Sequence, residues 1–140
     1  MNVKKLTAGA LMTTQLVTID PSQTLRAAAV ALHTHHIHCL LVPSPDPQGC
    51  VGVITAKDIV QVLCEGEPAF LDQLLVRDAM TTPSVSVQKE FTIGDCLQLM
   101  RMAGVRSAPV LDGVRLVGLL SFTDVLRTVA LESVTSGAGA

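Results

Sequence analysis

An internal repeat constrains this chain more than any other feature. Met12-Thr13-Thr14 recurs as Met80-Thr81-Thr82, 68 positions later, and beyond a turn the offset falls to 66, where residues 51–55 match residues 117–121. A difference of two residues in the length of one turn explains the change. Repetition of this kind indicates that one structural unit occurs twice. The 140 residues therefore predict two small coupled halves.

Each half predicts the element order β-α-β-β-α, which defines an α/β (α+β) fold class. The first helix of each half has apolar residues at i, i+3, i+4 and i+7, the spacing of one buried helix face. Thr24 is the expected N-cap of the first of these helices, and Thr92 with Asp95 forms a capping-box pattern at the second. The apolar residues are Leu25, Ala28, Ala29 and Leu32, then Ile93, Cys96, Leu97 and Met100.

Short runs of β-branched and apolar residues predict the strands. In the first half they cover residues 16–19, 39–42 and 50–54, and in the second half the later two cover 108–111 and 116–120. Asp112-Gly113 predicts a tight hairpin, whereas the corresponding turn at 43–49 is longer and richer in proline. A final helix is predicted at 56–63 and again at 122–129.

These elements divide the chain into four predicted parts. They are repeat 1 at 8–64, a linker with a short helix at 65–75, repeat 2 at 76–131 and a disordered tail at 132–140.

Composition argues against several classes of function. The net charge is −2 and the chain has no Trp or Tyr, so it lacks both the basic groove and the stacking platform of a single-strand nucleic-acid binder. It has no run of 18 apolar residues for a membrane span and no signal-peptide pattern. We therefore expect a cytoplasmic protein that binds neither nucleic acid nor membrane. In that reducing compartment the cysteines, which form no C-x-x-C pair, are expected to be small buried hydrophobic residues.

All four histidines lie between His33 and His38. Imidazole is a ligand for zinc, copper and nickel, so a metal site is one interpretation. His33 and His36 could share a helix face, but His35 and His38 are expected beyond the helix end, and no nearby cysteine pair or glutamate completes a tetrahedral set. Histidines also suit a helix C-terminus, where positive charge is favourable. No metal site is predicted.

The most informative pattern is Gly52-Val53-Ile54-Thr55-Ala56-Lys57-Asp58, which recurs as Gly118-Leu119-Leu120-Ser121-Phe122-Thr123-Asp124. A strand ends at a hydroxyl residue, a helix begins, and an acid follows three positions later. Free N–H groups at the helix start can bind phosphate, and the carboxylate can accept hydrogen bonds from vicinal ribose hydroxyls. The glycine leaves space for a flat base. The alternative is that both copies are capping boxes that bind no ligand.

With these signatures, the Met-Thr openings and Val105-Arg106-Ser107-Ala108-Pro109-Val110, the sequence resembles the cystathionine-β-synthase (CBS) domain family. The resemblance is to a tandem pair, or Bateman module, and covers residues 10–130. It implies two β-α-β-β-α repeats related by a pseudo-twofold axis, with up to two clefts for AMP, ADP, ATP or S-adenosylmethionine. The first repeat departs from the family pattern at Val42-Pro43, where it lacks the usual Pro-Val pair.

The resemblance also implies a set of nucleotide-binding residues. Asp58 and Asp124 would accept from ribose hydroxyls, and Thr55 and Ser121 would contact ribose or the α-phosphate. Thr18 and Ser86 would border the adenine. His38 and Arg106 would face phosphate, and Thr13 and Thr81 match a position that sometimes contacts the nucleoside.

The predicted function is that of a regulatory module that senses adenine nucleotides and passes the signal to an unidentified effector protein. No catalytic residues and no catalytic cofactor are predicted, because the aspartates are better explained as ribose acceptors than as an acid–base pair. A homodimer that buries apolar helix faces is expected. The alternatives are a structural or interaction module with empty clefts, and a module that responds to S-adenosylmethionine or a metal.

Overall fold

The structure is a computed structural model that describes residues 2–46, 50–82 and 84–139, with side chains described up to residue 132. The chain forms two compact units, which are unit 1 (Met1–Gln15 with Val85–Ala140) and unit 2 (Leu16–Ser84). The units differ from the sequence repeats in one respect. Each unit combines the body of one repeat with the opening Met-Thr segment of the other.

The chain combines helices and strands in an α+β fold. In chain order they are a 3-10 helix at Val3–Lys5, α1 Ala8–Leu11, α2 Leu25–His35, β1 Cys39–Val42, β2 Gly52–Thr55, α3 Ala56–Glu65, α4 Phe70–Gln73, α5 Val76–Ala79, β3 Val87–Gln88, α6 Ile93–Ala103, β4 Ser107–Asp112, β5 Arg115–Ser121 and α7 Phe122–Gly139.

Unit 2 has a two-stranded antiparallel sheet, β1 with β2, in a register that pairs Cys39 with Thr55. The strand predicted at 16–19 is reduced to one parallel bridge between Thr18 and Leu41. Pairing stops there because the chain turns at once: the Asp20 carboxylate accepts from the backbone N–H of Ser22 at 2.8 Å.

The core of unit 2 confirms the predicted apolar stripe of α2. Leu25, Ala28 and Leu32 are buried, and Ala29 packs partly buried against them. The predicted N-cap is also confirmed, since the Thr24 hydroxyl accepts from the N–H of Ala27 at 3.1 Å. Burial of each Leu or Ile side chain is worth about 1.5–3 kcal/mol, so this stripe is a main source of stability for the unit. The buried partners are Leu40, Val42, Ile54, Ile59, Leu71 and Val76.

Unit 1 has a three-stranded sheet in the order β3-β4-β5, with β3 parallel and β5 antiparallel to β4. The predicted hairpin is present, but its turn lies one residue later than Asp112-Gly113. Asp112 already pairs with Arg115, so Gly113 and Val114 form the two-residue loop. Gly113 has φ +65°, a conformation that suits glycine at the first position of such a turn.

The core of unit 1 repeats the pattern of unit 2. Ile93, Cys96 and Met100 of α6 are buried, with Leu97 partly buried beside them. The Thr92 hydroxyl accepts from the N–H of Asp95 at 3.2 Å, which confirms the N-cap. Among the described residues the reciprocal bond, from the N–H of Thr92 to the Asp95 carboxylate, is not made, so the capping box is only half present.

Helices α2 and α6 end in the same way with different residues. Helix α2 includes His35, which the sequence analysis placed beyond the helix end, and His36 follows as a left-handed C-cap with φ 53°. At the matching position of α6 stands Gly104 with φ 71°. The N–H of His36 is bonded to the carbonyl oxygens of Leu32 and His33, and these bonds, with the left-handed cap, define the end of the helix.

Two further predictions require correction. Helix α7 continues to Gly139, so the chain is helical where a disordered tail was predicted from residue 132. The physical reason is that extending an existing helix costs far less than starting one, and Leu131 and Glu132 are good helix formers. Of the four cysteines, Cys39 and Cys96 are buried as expected, but Cys50 and Cys64 are exposed. No helix of the described residues is long and apolar enough to cross a membrane.

Candidate functional site

The first signature forms a closed set of hydrogen bonds where β2 passes into α3. The N–H and hydroxyl of Thr55 donate to Oδ2 of Asp58 at 2.8 and 3.0 Å, and the N–H of Asp58 donates back to the Thr55 hydroxyl at 3.3 Å. This is the capping box that the sequence predicted as the alternative to a ligand site. It uses only one carboxylate oxygen, and among the described residues Oδ1 of Asp58 has no hydrogen-bond donor.

The second signature has the same box and additional bonds. Oδ2 of Asp124 accepts from the N–H and the hydroxyl of Ser121, both at 2.9 Å. Oδ1 of Asp124 accepts from the Thr13 hydroxyl at 3.0 Å and from Nη1 of Arg127 at 3.3 Å. The Asp124 side chain is only 4% exposed, so a buried charge is balanced here by four donors.

A basic residue lies beside each box. The N–H of Ala56, the first residue of α3, donates to the carbonyl oxygen of His38 at 3.0 Å, and the N–H of Phe122 donates to the carbonyl oxygen of Arg106 at the same distance. The side chains of His38 and Arg106 are exposed. The structure therefore groups His38 with Thr55 and Asp58, and Arg106 with Ser121 and Asp124.

These contacts also limit one predicted role. The sequence analysis offered free N–H groups at the helix start to a phosphate. Two of them are already used, since Ala56 donates to His38 and Asp58 donates to Thr55. An anion at this position would rely mainly on the exposed His38 side chain.

Thr13 and Thr81 make matching backbone bridges, each within its own unit. Thr13 pairs with Leu119 of β5, and Thr81 pairs with Val53 of β2. Each partner stands two residues before the hydroxyl residue of the signature, at Ser121 or Thr55. The Thr13 hydroxyl reaches Asp124, whereas among the described residues no bond joins the Thr81 hydroxyl to Asp58.

Thr18 and Ser86 lie apart from the carboxylates. Thr18 pairs with Leu41, which pairs with Val53, which pairs with Thr81, so Thr18 and Thr81 occupy opposite edges of one small sheet. Three strand spacings of about 4.8 Å separate them. Ser86 directly precedes β3, which is separated from β5 by β4.

Thr18 instead lines an open cavity of about 730 Å³ in unit 2. The cavity has a cation, Arg77, a thioether, Met80, and a carboxylate, Asp20, on its walls. Its remaining lining residues are Ile19, Pro21, Pro43, Ser44 and Pro45.

The signature glycines make room for methionine, not for a base. A Cβ on Gly118 would lie 2.8 Å from Cγ of Met12, and a Cβ on Gly52 would lie 3.3 Å from Sδ of Met80. The predicted space for a flat base is therefore already filled. In each unit the Met of the Met-Thr opening packs on the glycine, and the Thr pairs with the next residue of the strand.

No group of three or more potential metal ligands occurs among the described residues. The His33 and His36 rings meet edge to face, with their centroids 6.2 Å apart, and all four histidines are exposed. Cys39 lies opposite Thr55 on the sheet. Burial, reinforced by the nearby charge of Asp58, raises the pKa of the Cys39 thiol to about 11, so it is not a thiolate ligand near neutral pH.

Three features of these sites were missed from the sequence. Arg127 stands three residues after Asp124, a spacing that brings side chains together on a helix, so its contact could have been predicted. Arg77 stands where the first repeat has Gly9, and only the folded cavity shows its place. The packing of Met12 on Gly118 joins distant parts of the chain and gives no local signal.

Comparison with known proteins agrees with this geometry. The CBS domain model matches the chain twice, at residues 8–65 and 76–131. YhcV of Bacillus subtilis, a CBS domain-containing protein, is 31% identical over 116 residues, which cover 81% of this chain and 79% of that protein. A hexameric CBS-CP12 protein from bloom-forming cyanobacteria is similar in structure, with a TM-score of 0.81 and 30% sequence identity. The match covers 86% of this chain and 66% of the cyanobacterial chain.

A more distant solved structure, the CBS domain pair of protein MJ0100, has a TM-score of 0.77 at 20% identity, covering 90% of this chain and 97% of that one. It was crystallised with 5′-methylthioadenosine and S-adenosyl-L-methionine. The chain spans 66% of the cyanobacterial protein and 63% of a relative from Methanopyrus kandleri.

Two repeats of strand, helix and hairpin, each with a capped hydroxyl–acid signature, define a tandem regulatory ligand-binding module. The chain belongs to the CBS domain family and is a tandem CBS pair.

Proposed function

We propose that this CBS pair binds an adenosine-containing ligand, with AMP, ADP or ATP as the first candidates, and signals its presence to a partner protein. The observation that supports this most directly is the half-used carboxylate of Asp58. Its Oδ2 is held by the capping box, which fixes the orientation of the group, while Oδ1 has no donor among the described residues. A ribose hydroxyl supplies the donor that this oxygen lacks.

The surrounding groups suit such a ligand. His38 is exposed beside the helix start and can face a phosphate, as Arg106 can at the second signature. The groups offer hydrogen bonds and charge but no paired nucleophile and base, which favours a regulatory role over a catalytic one. A ligand changes the conformation of the module only through different affinities for two states, so a partner protein would respond to that population shift.

All of these candidate ligands contain adenosine, and they differ in the group that the adenosine carries. The MJ0100 pair holds two adenosine compounds that carry sulfur in place of phosphate, so S-adenosylmethionine stays an alternative for this chain. The exposed His38 and Arg106 favour the phosphate-bearing ligands.

Thermal unfolding tests the proposal. A ligand at 100 times its Kd adds about 2.7 kcal/mol to the free energy of unfolding. For a chain of this size that raises Tm by about 4 °C or more. We expect AMP, ADP or ATP at millimolar concentration to produce this shift, and the 2′-deoxy compounds to produce less because one hydroxyl is missing. If neither the nucleotides nor S-adenosylmethionine moves the melting curve, the chain is an interaction module with empty clefts.

Mass spectrometry of gently purified, then denatured protein gives an independent answer. A ligand that binds tightly remains with the protein, and its mass identifies it without any choice of candidates. A released adenine nucleotide supports the proposal, a released S-adenosyl compound supports the alternative, and a ligand without adenosine contradicts both.

We also propose that the chain forms a homodimer. Leu126 and Val129 stand on the same face of α7 and are 67% and 42% exposed, an arrangement that a second copy would cover. Replacing both with serine should shift the mass measured by light scattering from dimer to monomer. Val114→Ser is the matched control, since Val114 is 71% exposed but lies in the hairpin turn. A monomer mass for the wild-type chain at tens of micromolar contradicts this proposal.

A further inference from the structure

The two aspartates of the signatures are not equivalent. Both carry the capping box through Oδ2, but among the described residues only Asp124 also has donors on Oδ1, namely the Thr13 hydroxyl at 3.0 Å and Arg127 at 3.3 Å. A carboxylate has about four acceptor positions, so Asp124 has its full complement of donors. Within the part of the chain that the structure describes, Asp58 accepts only from the Thr55 N–H and hydroxyl.

The difference arises from two contacts. The position of Arg127 is taken in the first repeat by Gln61, whose amide donates to Glu65 at 2.9 Å instead of to Asp58. The positions of Thr13 and Thr81 match, yet only Thr13 donates to its aspartate. Two contacts therefore distinguish the carboxylates: Arg127 stands where the first repeat has Gln61, and the Thr13 hydroxyl makes a bond that the Thr81 hydroxyl does not make among the described residues.

We infer that Arg127 and Thr13 occupy the acceptor positions of Asp124, so that Asp58 is the adenosine-binding carboxylate. Asp124 instead holds the N-terminal segment in place through the Thr13 hydroxyl, an interaction that we call the latch. This inference rests on the proposed function for its ligand half. A ribose at Asp124 must displace both donors, whereas a ribose at Asp58 meets an oxygen that has no donor among the described residues. We expect the second signature to bind adenosine compounds at least tenfold more weakly.

The latch half does not depend on any ligand. Residues 1–15 belong to unit 1, and Thr13 is held there by two backbone hydrogen bonds with Leu119, both 2.9 Å, as well as by the bond to Asp124. Thr81 is held by its matching bonds with Val53, at 2.9 and 3.0 Å, without a side-chain bond to Asp58. Loss of the Asp124 carboxylate should therefore loosen its opening segment, and loss of the Asp58 carboxylate should not.

Hydrogen exchange tests the latch on the full chain without ligand. In Asp124→Asn the amides of Thr13 and Leu119 should exchange at least several-fold faster than in the wild type. In Asp58→Asn the amides of Thr81 and Val53 should keep their rates. Asn retains a carbonyl oxygen for the cap in both variants, so the fold is preserved. Equal acceleration in the two variants, or none in Asp124→Asn, overturns the latch.

Calorimetric titration with AMP tests the ligand half. We expect Asp58→Asn to weaken the strongest site by about tenfold to a hundredfold and Asp124→Asn to leave it unchanged. Arg127→Gln, which installs the residue of the first repeat, should strengthen binding at the second signature, and Gln61→Arg should weaken binding at the first. Weaker binding in Arg127→Gln overturns the inference, because Arg127 would then contact the ligand.

The two proposals fail in distinguishable ways. If AMP, ADP, ATP and S-adenosylmethionine all fail to bind the wild type, the proposed function fails together with the ligand half, and hydrogen exchange alone decides the latch. If a nucleotide binds but the two aspartate variants lose affinity equally, the proposed function holds and the inference is wrong.

Discussion

Met12 packs directly over Gly118, at the place that a side chain on that glycine would occupy. A Cβ there would lie 2.8 Å from Cγ and 3.0 Å from Cβ of Met12. At the matching pair a Cβ on Gly52 would lie 3.3 Å from Sδ of Met80 and 3.2 Å from the carbonyl oxygen of Thr81. The methionine side chain therefore lies closer to its glycine in unit 1 than in unit 2.

This difference predicts unequal effects of alanine at the two glycines. Gly118→Ala should lower the free energy of unfolding by about 1–3 kcal/mol, as overpacking does, and Gly52→Ala should have the smaller effect. Urea unfolding of both variants measures this. Met12→Ala combined with Gly118→Ala should recover part of the loss, because the smaller side chain makes room. A larger loss in Gly52→Ala would contradict the assigned packing.

The burial of Asp124 predicts a larger stability loss than an ordinary helix-start acid gives. Asp124→Ala should cost about 1–3 kcal/mol, because Asp124 is buried and the donors on Thr13 and Ser121 lose their acceptor. Asp58→Ala should cost about 0.3–1 kcal/mol, the value of an acid near a helix N-terminus. Chemical denaturation without ligand compares the two. Equal losses would show that Thr13 and Arg127 contribute nothing to the folded state.

The left-handed cap of α2 predicts a stabilising substitution. His36 has φ 53°, whereas the matching position of α6 has glycine. The left-handed conformation costs about 1–2 kcal/mol for a residue with a side chain. His36→Gly should therefore raise the free energy of unfolding by about 0.5–1 kcal/mol after the extra backbone entropy of glycine is subtracted. Gly104→Ala is the reciprocal variant and should lower it, and a decrease in both would contradict the role of the cap.

Cys39 predicts a loss of stability at alkaline pH. Its pKa rises from 9.0 to about 11 on folding, chiefly because the thiol is buried. Between these values the unfolded chain has released a proton that the folded chain retains, so the free energy of unfolding falls as pH rises. Below pH 9 the contribution is constant. Urea titrations from pH 8 to 11 should show this slope.

Cys39→Ser is the matched control, since the second repeat has Ser107 at this position. Its alkaline slope should be flatter than that of the wild type, although Cys96, whose pKa is also raised by burial, still contributes. An unchanged slope would mean that the Cys39 thiol ionises as easily in the folded chain as in the unfolded one.

Features that depend on near neighbours could be predicted from the sequence. The caps at Thr24 and Thr92 follow from a hydroxyl placed before an apolar stripe, and the hairpin at Gly113 follows from glycine in a short turn. The capping boxes at Thr55 and Ser121 were predicted for the same reason. The bounds of the elements were predicted less accurately than their type. The hairpin turn lies one residue later than predicted, α2 includes His35, and the strand predicted at 16–19 is a single bridge.

By itself, the sequence determined the repeat, the type of most elements and the hydroxyl–acid signature at each helix start, because these depend on contacts within a few residues. Only the tertiary structure decided which opening segment joins which unit, that Met12 fills the space beside Gly118, and that Thr13 closes Asp124 while Thr81 leaves Asp58 open. The physical reason is that two nearly identical Met-Thr segments have the same local preferences. Their partners lie 28 to 111 residues away, and the choice rests on shape and on hydrogen-bond donors that meet only when the chain is folded.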